Sequence, residues 1–315
     1  MLSELRPLSS DRKAALALAR RAILSRNDSD AETGPFLSMV EREIANDSAF
    51  GALRYDADRV GGIAVWEPPN ELGATLQVVF LIEGEQTATN YRTFYEEIQG
   101  VAGPVVLAPG HLAGLSDADE DRVMEGLEFA RFSRSEMRYP PESPAPDGAP
   151  DPTVRLRVAA PDDQPALARL HERAYRDHFD RFLFLADPDP VRDADVAMRD
   201  ILGGRWGEFL GWASAVAEGD GDLSAATLVV RASYGPLIAD VMVDPHVQGR
   251  GLGRAVLAAS IRALRDRNES VIVLNVTEGN ARANRLYERM GFVRSLGPSH
   301  GWYSKVRIPV SPDLD

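Results

Sequence analysis

Pro236-Leu-Ile-Ala-Asp-Val-Met-Val-Asp-Pro-His-Val-Gln-Gly-Arg-Gly-Leu-Gly-Arg254 decides the fold. Its first part is apolar and β-branched through Val243, which reads as a strand, and Asp244-Pro245 stops it. Gly249, Gly251 and Gly253 alternate through a loop. A helical pattern follows at once over 251–266, with Val256, Leu257, Ile261 and Leu264 as its buried stripe. Alternating glycines at a helix start leave backbone N–H groups unobstructed, and the helix dipole adds partial positive charge. The combination is an anion site, most often for phosphate or pyrophosphate.

Three phosphate loops compete for these glycines. A P-loop needs Lys and then Ser or Thr after the last Gly, and Arg254-Ala255 fails that. A dinucleotide loop needs its first Gly almost directly after the strand and G-x-G-x-x-G spacing. Here five residues separate Val243 from Gly249, and the spacing is G-x-G-x-G. What remains is Val-x-Pro-x-x-Gln-Gly-x-Gly-x-Gly, formed by Val243, Pro245, Gln248, Gly249, Gly251 and Gly253. This pattern resembles the acyl-coenzyme A loop of the GNAT N-acyltransferase superfamily. Downstream, Asn280-x-x-Ala283-x-x-Leu286-Tyr287-x-x-x-Gly291-Phe292 is similar to that superfamily's other coenzyme-binding helix. The resemblance covers about 154–310.

The resemblance implies an α/β (α+β) unit, a mixed and mostly antiparallel sheet flanked by helices. It also implies acetyl transfer from acetyl-coenzyme A directly to a primary amine, with no metal. Backbone groups of Val241, Met242 and Val243 would pair with the pantetheine arm as with an added strand. The N–H groups of Gln248, Gly249, Arg250, Gly251, Leu252, Gly253 and Arg254 would cradle the pyrophosphate. Asn280 and Ala283 would line the coenzyme from the other side. Tyr287 would protonate the departing thiolate or donate a hydrogen bond to it. The ammonium acceptor must lose a proton, and Asp240 and Glu278 are the candidate bases. Asp240 is expected on the strand face opposite Val241 and Val243, and Glu278 just beyond the next strand. Asp187, Asp189, His300, Trp302 and Tyr303 fall in segments that wall the acceptor pocket in this superfamily. The acceptor is a small-molecule amine, a peptide N-terminus or a lysine. An acyl-coenzyme A sensor without turnover is the alternative reading of the same residues.

Beyond this stretch, 315 residues suit two domains, and 44% hydrophobic with 26% charged residues can bury real cores. A net charge of −13 argues against nucleic acid as a partner. Yet 245–295 holds nine Arg against four acids, a local field suited to a polyphosphate. With no cysteine, disulfides and thiolate chemistry are excluded. No leader or membrane-spanning run is evident, so a soluble cytoplasmic protein is expected.

The proline-rich run over 140–153 reads as a stiff linker. Leu5-Arg6-Pro7 through Asp11 echoes Leu156-Arg157-Val158 through Asp162, and Gly126-Leu-Glu-Phe129 echoes Met290-Gly-Phe292. Two tandem copies of one GNAT-like unit follow from this: 1–139, a degenerate copy, and 154–310, the catalytic one. The first half lacks the loop, because Glu83-Gly-Glu-Gln-Thr87 places acids where phosphate would sit. Tandem arrangement and length resemble the mycothiol synthases, which acetylate a cysteinyl-glucosaminyl-inositol. Their pattern carries a glutamate on the coenzyme strand where this chain reads Pro236-Leu237-Ile238. Two apparent motifs are set aside. Gly297-Pro-Ser-His-Gly301 has no following His for a triad. His171-Glu172 lacks the second His of a zinc helix.

Overall fold

The computed structural model describes residues 3–25, 30–67, 73–144, 146, 154–183, 188–219, 221–232, 234–295 and 299–305. The first part of the chain forms β1 (Ser3–Pro7), α1 (Arg12–Leu24), α2 (Asp30–Ala45), β2 (Phe50–Asp56), β3 (Arg59–Trp66), β4 (Ala74–Leu81), α3 (Ala88–Ala102), β5 (Val105–Pro109), α4 (Asp117–Gly126) and β6 (Phe129–Arg138). The second forms β7 (Arg155–Val158), α5 (Gln164–Tyr175), α6 (Phe179–Leu183), α7 (Pro190–Leu202), β8 (Glu208–Phe209), β9 (Ala215–Glu218) and β10 (Leu223–Ala232). It continues through β11 (Gly235–Val243), α8 (Leu252–Asp266), β12 (Val273–Thr277), α9 (Ala281–Met290), β13 (Val293–Arg294) and β14 (Ser299–Ser304).

Helix starts follow local chemistry. Asp11, Thr87, Ser116 and Asn280 each accept a backbone N–H three residues ahead, which satisfies donors the first turn leaves unpaired. α4 ends at Gly126, and the chain turns at Glu128 (φ 63°) into β6. Each half is a mixed, mostly antiparallel sheet flanked by helices, as expected.

By mutual packing the described residues divide into two units, those within 1–133 together with 299–305, and those within 134–295. The first unit's sheet runs β1-β2-β3-β4-β5-β14, antiparallel except for β4–β5. Period-two alternation along β3 sends Ile63 and Val65 to the α1/α2 side and Ala64 to the α3 side, and a β-bulge at Gln77 on β4 puts Leu76 on the α3 side although Val78 faces α1 and α2. The second unit's sheet runs β6-β12-β11-β10-β9-β7, antiparallel except for β11–β12. Leu228, Val230 and Met242 pack on α5 and α7, whereas Val229, Ile238 and Leu274 pack on α8 and α9.

This division differs from the expected 1–139 and 154–310. Arg134–Arg138 of β6 pairs with β12 in the second sheet, and β14 pairs with β5 in the first, so the two closing strands are exchanged. β5 and β12 offer the same kind of open edge, and an apolar pattern does not say which edge a strand chooses. Part of 140–153 is also bound rather than a free spacer. Arg262 donates to the Pro146 carbonyl at 3.0 Å, Arg265 donates to that of Pro140, and the Arg265 guanidinium lies 5.3 Å from the Tyr139 ring centroid.

Glu120 is the polar node of the first unit and is 2% exposed. It accepts from Trp302 Nε1 (2.8 Å) and from the backbone N–H groups of His111 (3.1 Å) and Leu112 (2.9 Å), and it binds His300 Nε2 (2.7 Å). Burial opposes ionisation, but these donors together outweigh it and hold the carboxyl down at about 2. The folded value lies below the unfolded one, so this stabilisation is complete above pH ~4.5 and is lost as pH falls toward 2. Glu120→Ala should lower stability at neutral pH by about 3 kcal/mol and flatten the acid limb of the stability curve. Denaturant titrations at several pH values check both effects, and an unchanged acid limb would refute the assignment.

Candidate active site

The Asp240 backbone is set by a β-bulge. Leu228 pairs with Asp240 and Val229 with Ile238, so Ala239 is the extra residue. Asp240 thereby turns toward α5, where Tyr175 Oη donates to its Oδ1 at 2.6 Å, while Val241 packs among the α8/α9-side residues. β11 and β12 pair only at Leu237–Val273 and Ile238–Leu274 among the described residues. Beyond that point two cavities open.

The larger, about 520 Å³, is lined by Val241, Met242 and Val243, by Gln248, Gly249, Gly251, Leu252, Gly253 and Arg254, and by Asn280, Ala283 and Tyr287. Of the expected coenzyme residues only Arg250 is absent from this wall. Gly249 (φ 85°) and Gly251 (φ 78°) are left-handed, and a Cβ on either would meet nothing within 4 Å. Backbone conformation, not room, therefore demands glycine there. Gly251→Val should strain or flip the turn and misdirect its N–H groups, lowering acetyl-coenzyme A affinity by about 10-fold or more. Titration calorimetry reads this directly, and wild-type affinity in the variant would refute the cradle.

The smaller cavity, about 180 Å³, is lined by Arg134, His171, Tyr175, Asp180, Arg181, Asp193, Trp206, Asp240, Asn275 and Tyr287, among others. Tyr175, Val241, Asn280, Ala283 and Tyr287 line both cavities, so the two meet there. Burial, with the Asp180 charge adding to it, raises the Asp240 carboxyl to about 6 against the pull of Tyr175 Oη and the Val241 N–H. Tyr287 is 9% exposed, and burial followed by the charges of Asp240 and Asp180 pushes its hydroxyl well above the ordinary tyrosine value. Burial pulls His171 down to about 4, so it is neutral at pH 7. Its Nε2 lies 3.9 Å from Asp240 Oδ2, and its ring centroid 4.6 Å from that of Tyr175. Asp180 Oδ2 accepts from Asn280 Nδ2 at 3.2 Å, while its Oδ1 is buried without a hydrogen-bond partner among the described residues. Arg181 lies 3.3 Å from Asp193 on the same wall.

Not every expected residue arrives. Glu278 is engaged by Ser135 and Arg294 and lines neither cavity, because the turn after β12 points it toward β6 and β13. Asp189 caps α7, accepting the Val191 N–H at 2.9 Å. Asp187 lies outside the described residues. His300, Trp302 and Tyr303 belong to β14 in the first unit, the first two on Glu120. Conversely, Tyr175, Asp180 and His171 were missed as site residues. The spacing of His171 and Tyr175, i and i+4 on α5, was the available signal, since it places two polar rings on one face.

The first unit shows the same parallel pair, β4–β5, joined among the described residues only at Ala74–Val105 and Thr75–Leu107. Gln86 Nε2 donates to the Leu81 carbonyl at 2.8 Å, fully buried Tyr91 donates from Oη to the Ala113 carbonyl at 3.0 Å, and Asn90 Nδ2 donates to Glu85.

A parallel pair that parts over a glycine-led helix start, with a buried tyrosine where two cavities meet, defines the acyltransferase class. Residues 161–292 match the acetyltransferase (GNAT) family. Mycothiol acetyltransferase of Thermobispora bispora is 28% identical over 92% of this chain and 95% of its own length. That of Thermomonospora curvata is 31% identical over 75% and 76%. In fold, the chain is similar to a tandem GNAT protein from the clavulanic acid biosynthesis pathway, with a TM-score of 0.56 at 13% identity over 98% and 99% of the two chains. The chain belongs to the GNAT acetyltransferase family and is an N-acetyltransferase. Among the described residues no helix is long and apolar enough to cross a membrane.

Proposed function

We propose that the second unit transfers the acetyl group of acetyl-coenzyme A directly to the primary amine of a small-molecule acceptor. One observation carries the reading: the two cavities meet at Tyr287 and Val241, with the Asp240 side chain, 8% exposed, on the acceptor side. The residues present fit the coenzyme. The β11 edge beyond Ile238 is unpaired toward β12, so Val241–Val243 can hydrogen-bond an extended arm, and the left-handed glycines present N–H groups to a pyrophosphate.

The acceptor enters as an ammonium between Asp240 and Asp180. Asp240, raised to about 6, is ionised at pH 7 yet basic enough to take the proton. The freed nitrogen attacks the thioester carbonyl, the carbon–sulfur bond breaks as the carbon–nitrogen bond is kept, and the nitrogen's surplus proton passes to the leaving thiolate, to which the Tyr287 hydroxyl donates a hydrogen bond. Asp180 holds the ammonium through its buried Oδ1 while Asn280 fixes the other oxygen. The first unit, its cleft filled by Gln86 and Tyr91, is a structural copy that binds no coenzyme. The reaction belongs in the cytoplasm, where acetyl-coenzyme A is at hand.

The names of the relatives make the amine of cysteinyl-glucosaminyl-inositol the first acceptor to try, although Pro236-Leu237-Ile238 departs from the mycothiol synthase pattern. Release of coenzyme thiol across a panel of that compound, amino sugars, diamines and lysine peptides tests the reading. Turnover confined to small amines is expected, whereas turnover of peptides alone overturns it. Acetyl-coenzyme A at about 100 times its dissociation constant should add ~2.7 kcal/mol of stability, and no thermal shift would count against the coenzyme itself.

A further inference from the structure

Asp240 offers two carboxylate oxygens, and the fold holds them differently. Oδ1 accepts the Tyr175 hydroxyl at 2.6 Å, a short bond of the charge-assisted kind. Oδ2 faces His171 Nε2 across 3.9 Å, too far for a hydrogen bond. His171 is neutral at pH 7, so it adds bulk beside Oδ2 but no charge. The oxygen already bound is the poorer proton acceptor of the two, which leaves Oδ2 to take the proton of an incoming ammonium.

The Tyr175 ring is held in place from both sides. His171 lies one turn earlier on α5 with its ring centroid 4.6 Å away, and His178, just past the helix, meets the ring edge-on at 5.8 Å. Burial, and then the Asp240 charge, raise the hydroxyl well above the ordinary tyrosine value, so it donates at every working pH. The other titratable groups facing Asp240 come from each neighbouring element: Asp180 and Arg181 from α6, Asp193 and Asp200 from α7, Arg134 from β6 and Tyr287 from α9. Asp193 lies 3.3 Å from Arg181, and Asp200 lies 3.0 Å from Arg205. Burial and Asp180 work against the Asp240 charge, and Tyr175 is the largest influence in its favour.

We propose that Tyr175 is a positioning residue of the transfer reaction, a role that rests on the reading of Asp240 as the base: its hydroxyl holds Oδ1, aims Oδ2 at the acceptor nitrogen and stabilises the ionised carboxylate. Tyr175→Phe removes the hydroxyl and keeps the ring. The wild-type profile of kcat/KM should inflect near 6, and in the variant the inflection should move to higher pH by about 1 unit, because a donor to the ionised form is gone. On the alkaline plateau kcat should still fall about 10-fold, since the carboxylate is no longer aimed. A residue that served only the fold would lower activity without moving the inflection. An inflection that stays at the wild-type pH overturns the positioning role and leaves the base standing. A wild-type profile with no inflection overturns the base, and the positioning role with it. Asp240→Asn/Tyr175→Phe covers a single variant that does not fold, because it also removes the buried charge that would lack its donor. Its kcat should lie within about threefold of Asp240→Asn alone. A further loss of about 10-fold or more would show Tyr175 acting independently of the carboxylate and would overturn the proposal.

Discussion

Asp240→Asn is expected to lower kcat by about 10²–10⁴-fold, the range over which a positioned general base acts. The amide keeps the size of the side chain and can still accept the Tyr175 hydroxyl, so what it removes is basicity. In the wild type, kcat/KM should rise with pH and level off above about 6, where the carboxyl is ionised. The variant should lose that inflection. Stability should move the other way. The Asp240 carboxyl is raised from 3.8 to about 6, so the folded state holds a proton that the unfolded chain has already lost. Rising pH therefore costs stability across that window, and above it the ionised, buried group costs on the order of 3 kcal/mol. The neutral Asn avoids this cost, so the variant should melt at or above the wild-type temperature at pH 7.5 while being nearly inactive. Activity within threefold of wild type, or a variant that is inactive because it has unfolded, would contradict the role.

The stretch from Pro236 to Arg254 made one wall of the larger cavity legible because that wall is contiguous. Its glycines are demanded by left-handed backbone, its strand by β-branched residues, and its helix by periodicity, and all three are local properties. Asn280 was equally readable as a helix cap. The acceptor side is assembled from α5, α6, α7, β6 and β12, and no local rule brings Arg134 or Asp180 to Asp240. Glu278 illustrates the limit. It stands one residue past β12, as expected, but a turn and two partners on β6 and β13 carry it away from the cavities. The closing strands show the same limit at a larger scale, since nothing local to β6 or β14 says which open edge each takes. The filled cleft of the first unit was partly legible. Glu83 and Glu85 signalled a place unsuited to phosphate, but Gln86 just before α3 and Tyr91 on it, which bond to the Leu81 and Ala113 carbonyls, read as ordinary residues.

Tyr287→Phe should lower kcat by about 10²-fold or more and change the affinity for acetyl-coenzyme A less than threefold. The hydroxyl lies where the two cavities meet, and the ring is held at 5.9 Å edge-on to Phe292, which the variant preserves. Its raised pKa poses an apparent difficulty, since a tyrosine so weakly acidic does not readily surrender a proton to a thiolate. The causes of the shift resolve it. After burial, the next largest cause is the negative charge of Asp240. On the proposed mechanism Asp240 becomes neutral when it takes the acceptor's proton, that cause vanishes, and Tyr287 becomes a stronger donor at the moment charge builds on sulfur. Deprotonation on one side of the thioester would thus strengthen hydrogen bonding on the other without any movement of the protein. The coupling makes the two substitutions non-additive. In Asp240→Asn the charge is already absent, so Tyr287→Phe added to it should cost clearly less than it does in the wild type. A double-mutant cycle on kcat measures this, and strict additivity of the two losses would show that the tyrosine acts independently of the base.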